Sequence, residues 1–385
     1  MIYVHVPFCR SFCKYCGFYR CSIKQTSIPL HPQGTGGGPP ETPCVASLHN
    51  PQLKLYVEEV CAEAQRRASG IAASAGVDTL YFGGGTPSVL PPSYIARIAD
   101  ACGGRRYREW TVEVNPDDVT HGYARELRAL GVNRVSMGVQ SLHDGMLRWM
   151  NRRHDAAGAR NAFRELRQAG FDNVSVDVIF GVGGMETQML ESTVREILGW
   201  RPEHISAYQL SVEEGSALAD LVRSGRYLEA SDEDCRRQYE LLCSLLADAG
   251  YEHYEISNWA LPGFRAVHNS AYWTRAPYVG LGPGAHSLDQ EGNYRSWNSE
   301  HLSGWTSEGE WLTDSEIREE RIMLGLRTAK GVPADMLSCG AQTCHSRPDR
   351  ESLCASVLVP SAVPGYLRIP EDRWFTADDI ISSLI

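Results

Sequence analysis

The sequence predicts an α/β fold built on a parallel sheet, and three observations carry that prediction. Short apolar runs rich in β-branched residues recur through the first half, segments with helical periodicity separate them, and the rhythm stops near residue 225. Near-continuous apolar runs suit strands buried on both faces, and strand–helix alternation is the pattern of βαβ units. Six such strands precede residue 211. That falls short of a closed eight-stranded barrel and leaves an open barrel or a doubly wound sheet. In both, ligands gather at the carboxyl ends of the strands, so the loops there are where chemistry is expected.

The predicted strands are Ile2 to Phe8, Asp78 to Phe82, Trp110 to Val114, Asn133 to Val139, Val174 to Phe180 and His204 to Leu210. Between them, Leu53, Tyr56, Val57, Val60, Cys61 and Ala64 follow the i, i+3, i+4, i+7 template of an amphipathic helix. Ala159, Ala162, Phe163, Leu166 and Ala169 form a second stripe, and Leu190, Val194, Ile197 and Leu198 a third. Residues 22–52, rich in Gly and Pro, read as an irregular insertion after the first strand. Past 225 comes a helix with Tyr239, Leu242, Leu245, Leu246 and Ala249 on one face, then a mixed stretch over 251–305. A helix near 315–327, an irregular segment at 338–364 and a strand–helix over 366–385 complete the chain. The division expected is 1–225 and 226–385.

Composition excludes several classes of function. A net charge of −10 argues against a nucleic-acid binder, which carries a basic stripe. No apolar run approaches the ~18 residues of a membrane span, which leaves only peripheral membrane association open. The first eight residues have neither a basic n-region nor a long apolar run, so no secretory signal is expected and a cytoplasmic location is. Twelve cysteines in a reducing compartment are read as free, catalytic or metal-bound rather than paired.

Cys9, Cys13 and Cys16 sit just past the first strand. One tight loop can turn three thiolates toward a common region, and thiolates select zinc or iron–sulfur clusters. Three readings stand on spacing alone. A closed zinc site needs four ligands, and Cys21 could be the fourth, but no second C-x2-C knuckle exists. An iron–sulfur cluster on three cysteines leaves one iron open to a further ligand. Coincidence is the third. Gly83-Gly84-Gly85-Thr86-Pro87, directly after the second predicted strand, adds a place where bare backbone N–H groups can hold an anionic ligand.

Cys9-Arg10-Ser11-Phe12-Cys13-Lys14-Tyr15-Cys16 resembles the C-x3-C-x-aromatic-C signature of the radical SAM superfamily. The resemblance implies a 4Fe–4S cluster on the three cysteines and S-adenosylmethionine (SAM) on the fourth iron. It also implies a partial (β/α)6 barrel, and homolytic cleavage of the SAM C5′–S bond by an electron from the cluster, drawn from a donor such as flavodoxin or ferredoxin. Tyr3-Val4-His5-Val6-Pro7-Phe8-Cys9, Glu113-Val114-Asn115-Pro116, Gly138-Val139-Gln140-Ser141, Asp177-Val178-Ile179-Phe180-Gly181, Tyr254-Glu255-Ile256-Ser257-Asn258 and Gly280 through Ser287 are similar to the HemN/HemW family. That family comprises oxygen-independent coproporphyrinogen III oxidases and haem chaperones, and it implies a C-terminal α+β domain of the HemN type. Carried over by position, Tyr3, Tyr15, Gly84, Gly85, Thr86, Glu113, Gln140, Arg152 and Asp177 are expected at the SAM site. The bland readings are a solvated arginine for Arg152 and a paired core carboxylate for Asp177.

Two features separate the branches. The oxidase carries a fourth cysteine two residues after the third, where this chain has Phe18. His268-Asn269-Ser270-Ala271-Tyr272-Trp273 matches the H-N-x-x-Y-W motif associated with haem in the chaperone branch, and histidine is a common axial haem ligand. The resemblance therefore implies a haem chaperone with His268 on the iron, passing haem to apo-haemoproteins such as respiratory enzymes. The alternative is radical decarboxylation of coproporphyrinogen III.

Overall fold

The computed structural model describes residues 1–23, 50–73, 78–104, 106–337 and 356–385. Most of both irregular segments, with Cys44, Cys339, Cys344 and Cys354, lies outside the described residues.

All six sequence-predicted strands form: β1 (Ile2–Val6), β2 (Thr79–Gly84), β3 (Glu109–Val114), β4 (Arg134–Gln140), β5 (Val174–Phe180) and β6 (His204–Gln209). They pair in parallel, each with the next in sequence. A doubly wound sheet reverses direction at a switch point. This one does not, so of the two architectures the sequence allowed, the singly wound partial barrel is observed. The first strand stops two residues short of Phe8, because Pro7 has no N–H to give the ladder.

The crossover helices are α1 (Pro51–Arg66), α2 (Pro92–Ala101), α3 (His121–Leu130), α4 (Ala156–Gln168) and α5 (Thr187–Trp200). Asn50, Thr120 and Asp155 cap α1, α3 and α4 through side-chain oxygens, satisfying N–H groups a helix start leaves orphaned. Strand alternation divides the sheet. Val135, Met137 and Val139 of β4 are fully buried in the core, while Arg134, Ser136, Gly138 and Gln140 line an interior cavity.

Beyond residue 225 the chain extends the same sheet. Helix α6 (Asp232–Asp248) packs beside α5. Ala249, expected on its apolar face, is instead the exposed C-cap. Strand β7 (Glu252–Glu255) pairs antiparallel with β8 (Asn258–Ala260), which itself pairs antiparallel with β6, and β9 (Val279–Leu281) adds parallel to β1. Between β8 and β9 lies the short helix α7 (Val267–Tyr272). An antiparallel sheet over residues 286–311 and helix α8 (Asp314–Leu326) follow, the latter opened by a Thr313–Glu316 capping box.

The seam between α1 and this later region is polar and closed. Glu63 is 4% exposed, yet its carboxylate accepts from Gly282 N at 2.9 Å, Asn298 Nδ2 at 2.8 Å and Trp305 Nε1 at 3.0 Å. Arg67 donates to Gly280 O and Ser287 Oγ. A buried carboxylate with this many donors is a structural fastener.

Candidate functional site

The cysteine loop leaves β1 at Pro7 and folds back on itself. Phe8–Cys9 pairs in parallel with Cys21–Ser22, and Cys21 N donates to Pro7 O at 2.6 Å. Lys14 N donates to Met150 O, Leu218 N to Lys14 O, and Asn151 Nδ2 to Phe12 O, which pins the loop over the carboxyl end of the barrel. Cys9, Cys13 and Cys16 all line the mouth of one cavity of about 660 Å³. Among the described residues, no three Cys, His, Asp or Glu side chains converge on a point that would hold a single ion. Cys21 is off the cavity wall and gives its thiol to Tyr19 Oη at 3.4 Å. A single zinc needs converging ligands and a fourth donor. A cluster gives each thiolate its own iron, so three spread thiols at one mouth suit it. Arg152 Nη1 lies 3.5 Å from Cys13 Sγ and Thr86 Oγ1 3.4 Å from Cys9 Sγ, donors suited to thiolate charge. Burial pushes the Cys9 thiol up to about 11 in the cluster-free protein.

Below the mouth, the carboxyl ends of successive strands place the other expected residues. Gly84 has φ 107°, and a Cβ there would sit 2.6 Å from the His5 ring. Gly85 N donates to Val6 O, fixing the turn beside Cys9. Glu113 takes Tyr81 Oη at 2.7 Å, and desolvation raises its carboxyl to about 7 against the pull of that hydrogen bond. Gln140 holds φ 65°, just past an irregularity in the β4–β5 register. Its Oε1 is buried with no partner among the described residues. Left-handed backbone at a non-glycine residue is strained, and an orphaned acceptor is costly, so both point to a ligand donor missing from the protein itself. Asp177 accepts from Ser136 Oγ at 3.2 Å, and burial holds its carboxyl up. Arg152 is no solvated arginine: it donates to Asn115 Oδ1 and to Gly138 O, each at 2.7 Å. Tyr15 lines the cavity, its phenol raised by burial.

Two expected residues are not on the cavity wall. Tyr3 stands behind it, stacked on Tyr81 with its hydroxyl 3.1 Å from His5 Nδ1. His268 lies at the amino end of the barrel, 1% exposed. Its Nδ1 is 2.8 Å from Thr79 Oγ1, its Nε2 is 3.0 Å from Tyr272 Oη, and its ring stacks on Tyr81. Burial lowers its pKa to about 3. Both ring nitrogens are bonded and the ring is neutral and buried, so the axial haem role expected of His268 would require these bonds to open.

Sequence reasoning missed Arg134, Asn115, Ser136 and Ser206. Arg134 is 1% exposed on the cavity wall, with Nε and Nη1 unpartnered among the described residues. The signal was available: Arg134, Ser136, Gly138 and Gln140 are alternate residues of one strand and share one face.

A singly wound barrel with three cysteines over its carboxyl end defines the class, and the radical SAM superfamily model matches residues 3–197. The chain is 30% identical over 340 residues to the haem chaperone HemW of Lactococcus lactis, covering 86% of this chain and 82% of that one. It is 32% identical over 351 residues to the radical S-adenosyl methionine domain-containing protein 1, mitochondrial, of Danio rerio, covering 86% of this chain and 73% of that one. The solved coproporphyrinogen III oxidase HemN of Escherichia coli superposes with a TM-score of 0.73 at 17% identity, over 100% of this chain and 89% of that one, and shares its fold. The chain belongs to the radical SAM superfamily and, within it, to the HemW family. Among the described residues, no helix is long and apolar enough to cross a membrane.

Proposed function

We propose that this chain is a cytoplasmic haem chaperone that binds a 4Fe–4S cluster and SAM in the barrel cavity and delivers haem to apo-haemoproteins. The observation that carries the cofactor part is the pairing, in one cavity, of three thiols with the orphaned Gln140 acceptor and the buried, high-pKa Glu113. Cys9, Cys13 and Cys16 hold the cluster, which when bound supplies an electron to the sulfonium. Glu113 offers a carboxylate to the methionyl amine, while Gln140 Oε1 accepts from a ligand N–H or O–H. Arg152, tied to Asn115 and Gly138, stands beside Cys13 and offsets its charge. The first 23 residues carry Arg10, Lys14 and Arg20 and no acid, and Phe12 and Phe18 are exposed there, a surface suited to an acidic donor such as flavodoxin or ferredoxin.

The chaperone part is supported by the likeness to proteins named haem chaperones and by Phe18, exposed at the position of the oxidase's fourth cysteine. The oxidase reading has one observation in its favour: Arg134 Nε and Nη1, on the cavity wall and without a partner among the described residues, would suit a substrate carboxylate. Anaerobic reconstitution followed by separate addition of haem and of coproporphyrinogen III decides. Stable haem binding and transfer to an apo-haemoprotein without protoporphyrinogen formation is expected. SAM-dependent protoporphyrinogen formation would replace the chaperone reading with the oxidase one.

A further inference from the structure

Tyr81, outside every motif read in the sequence, sits in the middle of β2. It is 8% exposed and lines the barrel cavity. Its hydroxyl donates to Glu113 Oε1 at 2.7 Å. Tyr81 pairs with Thr111 of β3, two residues before Glu113, so the phenol has to reach along the sheet past Gly83. The bare glycine leaves the room. A Cβ at Gly83 would stand 2.8 Å from Tyr81 Cε1 and 3.0 Å from Glu113 Oε1. Two rings fix the phenol in this pose. Tyr3, its direct neighbour across the β1–β2 pair, packs on it at 6.1 Å between centroids, and the His268 ring stacks on it at 4.9 Å. Burial and the Glu113 charge hold the Tyr81 hydroxyl well above its ordinary pKa, so it remains a donor while Glu113 titrates. Around the carboxylate, the Gly84 N–H is a further donor, Arg134 of β4 attracts its charge and Asp177 of β5 repels it. Tyr3 faces it from β1.

We propose that Tyr81 is a positioning residue of the SAM site, whose hydroxyl keeps the Glu113 carboxylate charged and ready for a ligand ammonium. The assignment rests on the reading of Glu113 as partner of the methionyl amine and supplies the group that prepares it. A hydrogen bond to the ionised form favours that form, whereas burial disfavours it. Without the phenol, the carboxyl keeps its proton to higher pH, and a protonated carboxyl cannot pair with an ammonium.

The test is SAM binding to the full chain with its cluster reconstituted, read by isothermal titration over pH 6–9 in wild type and Y81F. Y81F keeps the ring and its stacking and loses one hydroxyl. A hydrogen bond to a charged group is worth roughly tenfold in an equilibrium, so the pH below which SAM affinity falls should move up by about one unit. Y81F should therefore bind SAM about fivefold more weakly than wild type near pH 7 and equally near pH 9. The ratio of the two affinities is read at each pH, so titration of SAM itself cancels. In an E113Q background, Y81F should change SAM affinity less than about twofold, because the hydroxyl acts through the carboxylate. An equal loss at every pH, no loss at any pH, or a larger loss in E113Q makes Tyr81 a packing residue. Each overturns the proposal and leaves the SAM reading standing. Wild-type affinity that does not fall below pH 7 overturns the proposal together with the role of Glu113. No SAM binding by wild type overturns the SAM reading as well.

Discussion

The two ends of the barrel handle their polar groups in opposite ways. At the amino end the inner face and the start of α7 are answered, although the Trp273 indole N–H at its C-cap is buried without a partner among the described residues. His268 is held by Thr79 and Tyr272, and the Glu109 carboxylate takes the backbone N–H groups of Val267 at 2.7 Å and His268 at 2.8 Å. At the carboxyl end the groups are just as buried but incompletely answered. Gln140 Oε1 has no donor among the described residues, and Glu113 sits at about 7 because its hydrogen bonds do not offset desolvation. The amino end spends its polar groups on joining the later part of the chain to the barrel. The carboxyl end holds unsatisfied groups in place for ligands, a stability cost typical of binding sites. Substitutions at the two ends should therefore fail differently.

The largest effect belongs to the cysteines. C13S should abolish the cluster, leaving iron and acid-labile sulfide at background after anaerobic reconstitution. C21S should keep both at wild-type stoichiometry, because Cys21 faces Tyr19 rather than the cavity. Loss of the cluster in both variants would make Cys21 a ligand and collapse the distinction between cavity and loop thiols.

Next is the amino end. Glu109 is 3% exposed, and its charge also faces the buried Arg134. E109A leaves two buried backbone N–H groups without their acceptor and removes one of the charges facing Arg134, which costs roughly 3–5 kcal/mol. Chemical denaturation should show that loss directly. A change below about 1 kcal/mol would mean the seam is not held by this carboxylate.

At the carboxyl end the sign is reversed. Glu113 has a folded pKa of about 7 against an ordinary 4.5, raised by burial. Its contribution to stability is therefore fully present below about 4.5 and lost as pH rises through about 7. E113Q removes the buried charge, so at pH 8 the cofactor-free variant should be as stable as wild type or up to about 3 kcal/mol more stable. The same change should weaken SAM binding, read by isothermal titration. In wild type, SAM affinity should fall as pH drops below about 7, where the carboxyl becomes protonated. A destabilised E113Q that still binds SAM normally would place Glu113 with the structural groups of the other end.

The sheet was legible because buried parallel strands write themselves as unbroken apolar runs, and all six were located from that pattern. The cysteine loop was legible because its spacing is local. What was not legible is how a side chain's bonds are finished. Glu63 lies on the helix face where sequence reasoning expected only apolar residues, and its three donors come from positions more than two hundred residues away. Arg152 was readable as a surface residue because its neighbours are polar, whereas its partners Asn115 and Gly138 come from other strands' ends. The bonds of His268 were out of reach for the same reason. A motif names a residue type, but Thr79, which takes up one of its nitrogens, is brought there only by the fold.

The smallest effect sharpens the comparison most. His268 has a folded pKa of about 3, lowered chiefly by burial. A depressed histidine contributes stability that is present above its ordinary value of 6.5 and lost as pH falls toward about 3. H268Q keeps a donor and an acceptor but cannot take up a proton, so its stability should be flatter over that interval. At pH 7 it should lose only about 1–2 kcal/mol, from imperfect replacement of two buried hydrogen bonds and the stacking on Tyr81. Thermal unfolding across pH 4–7 reads both quantities. Haemin affinity, measured in the same preparations above the unfolding range, should match wild type, because neither imidazole nitrogen is free to reach iron. An H268Q protein of near-normal stability that no longer binds haemin would return the iron to this residue. It would require α7 to turn its inner face outward when haem arrives.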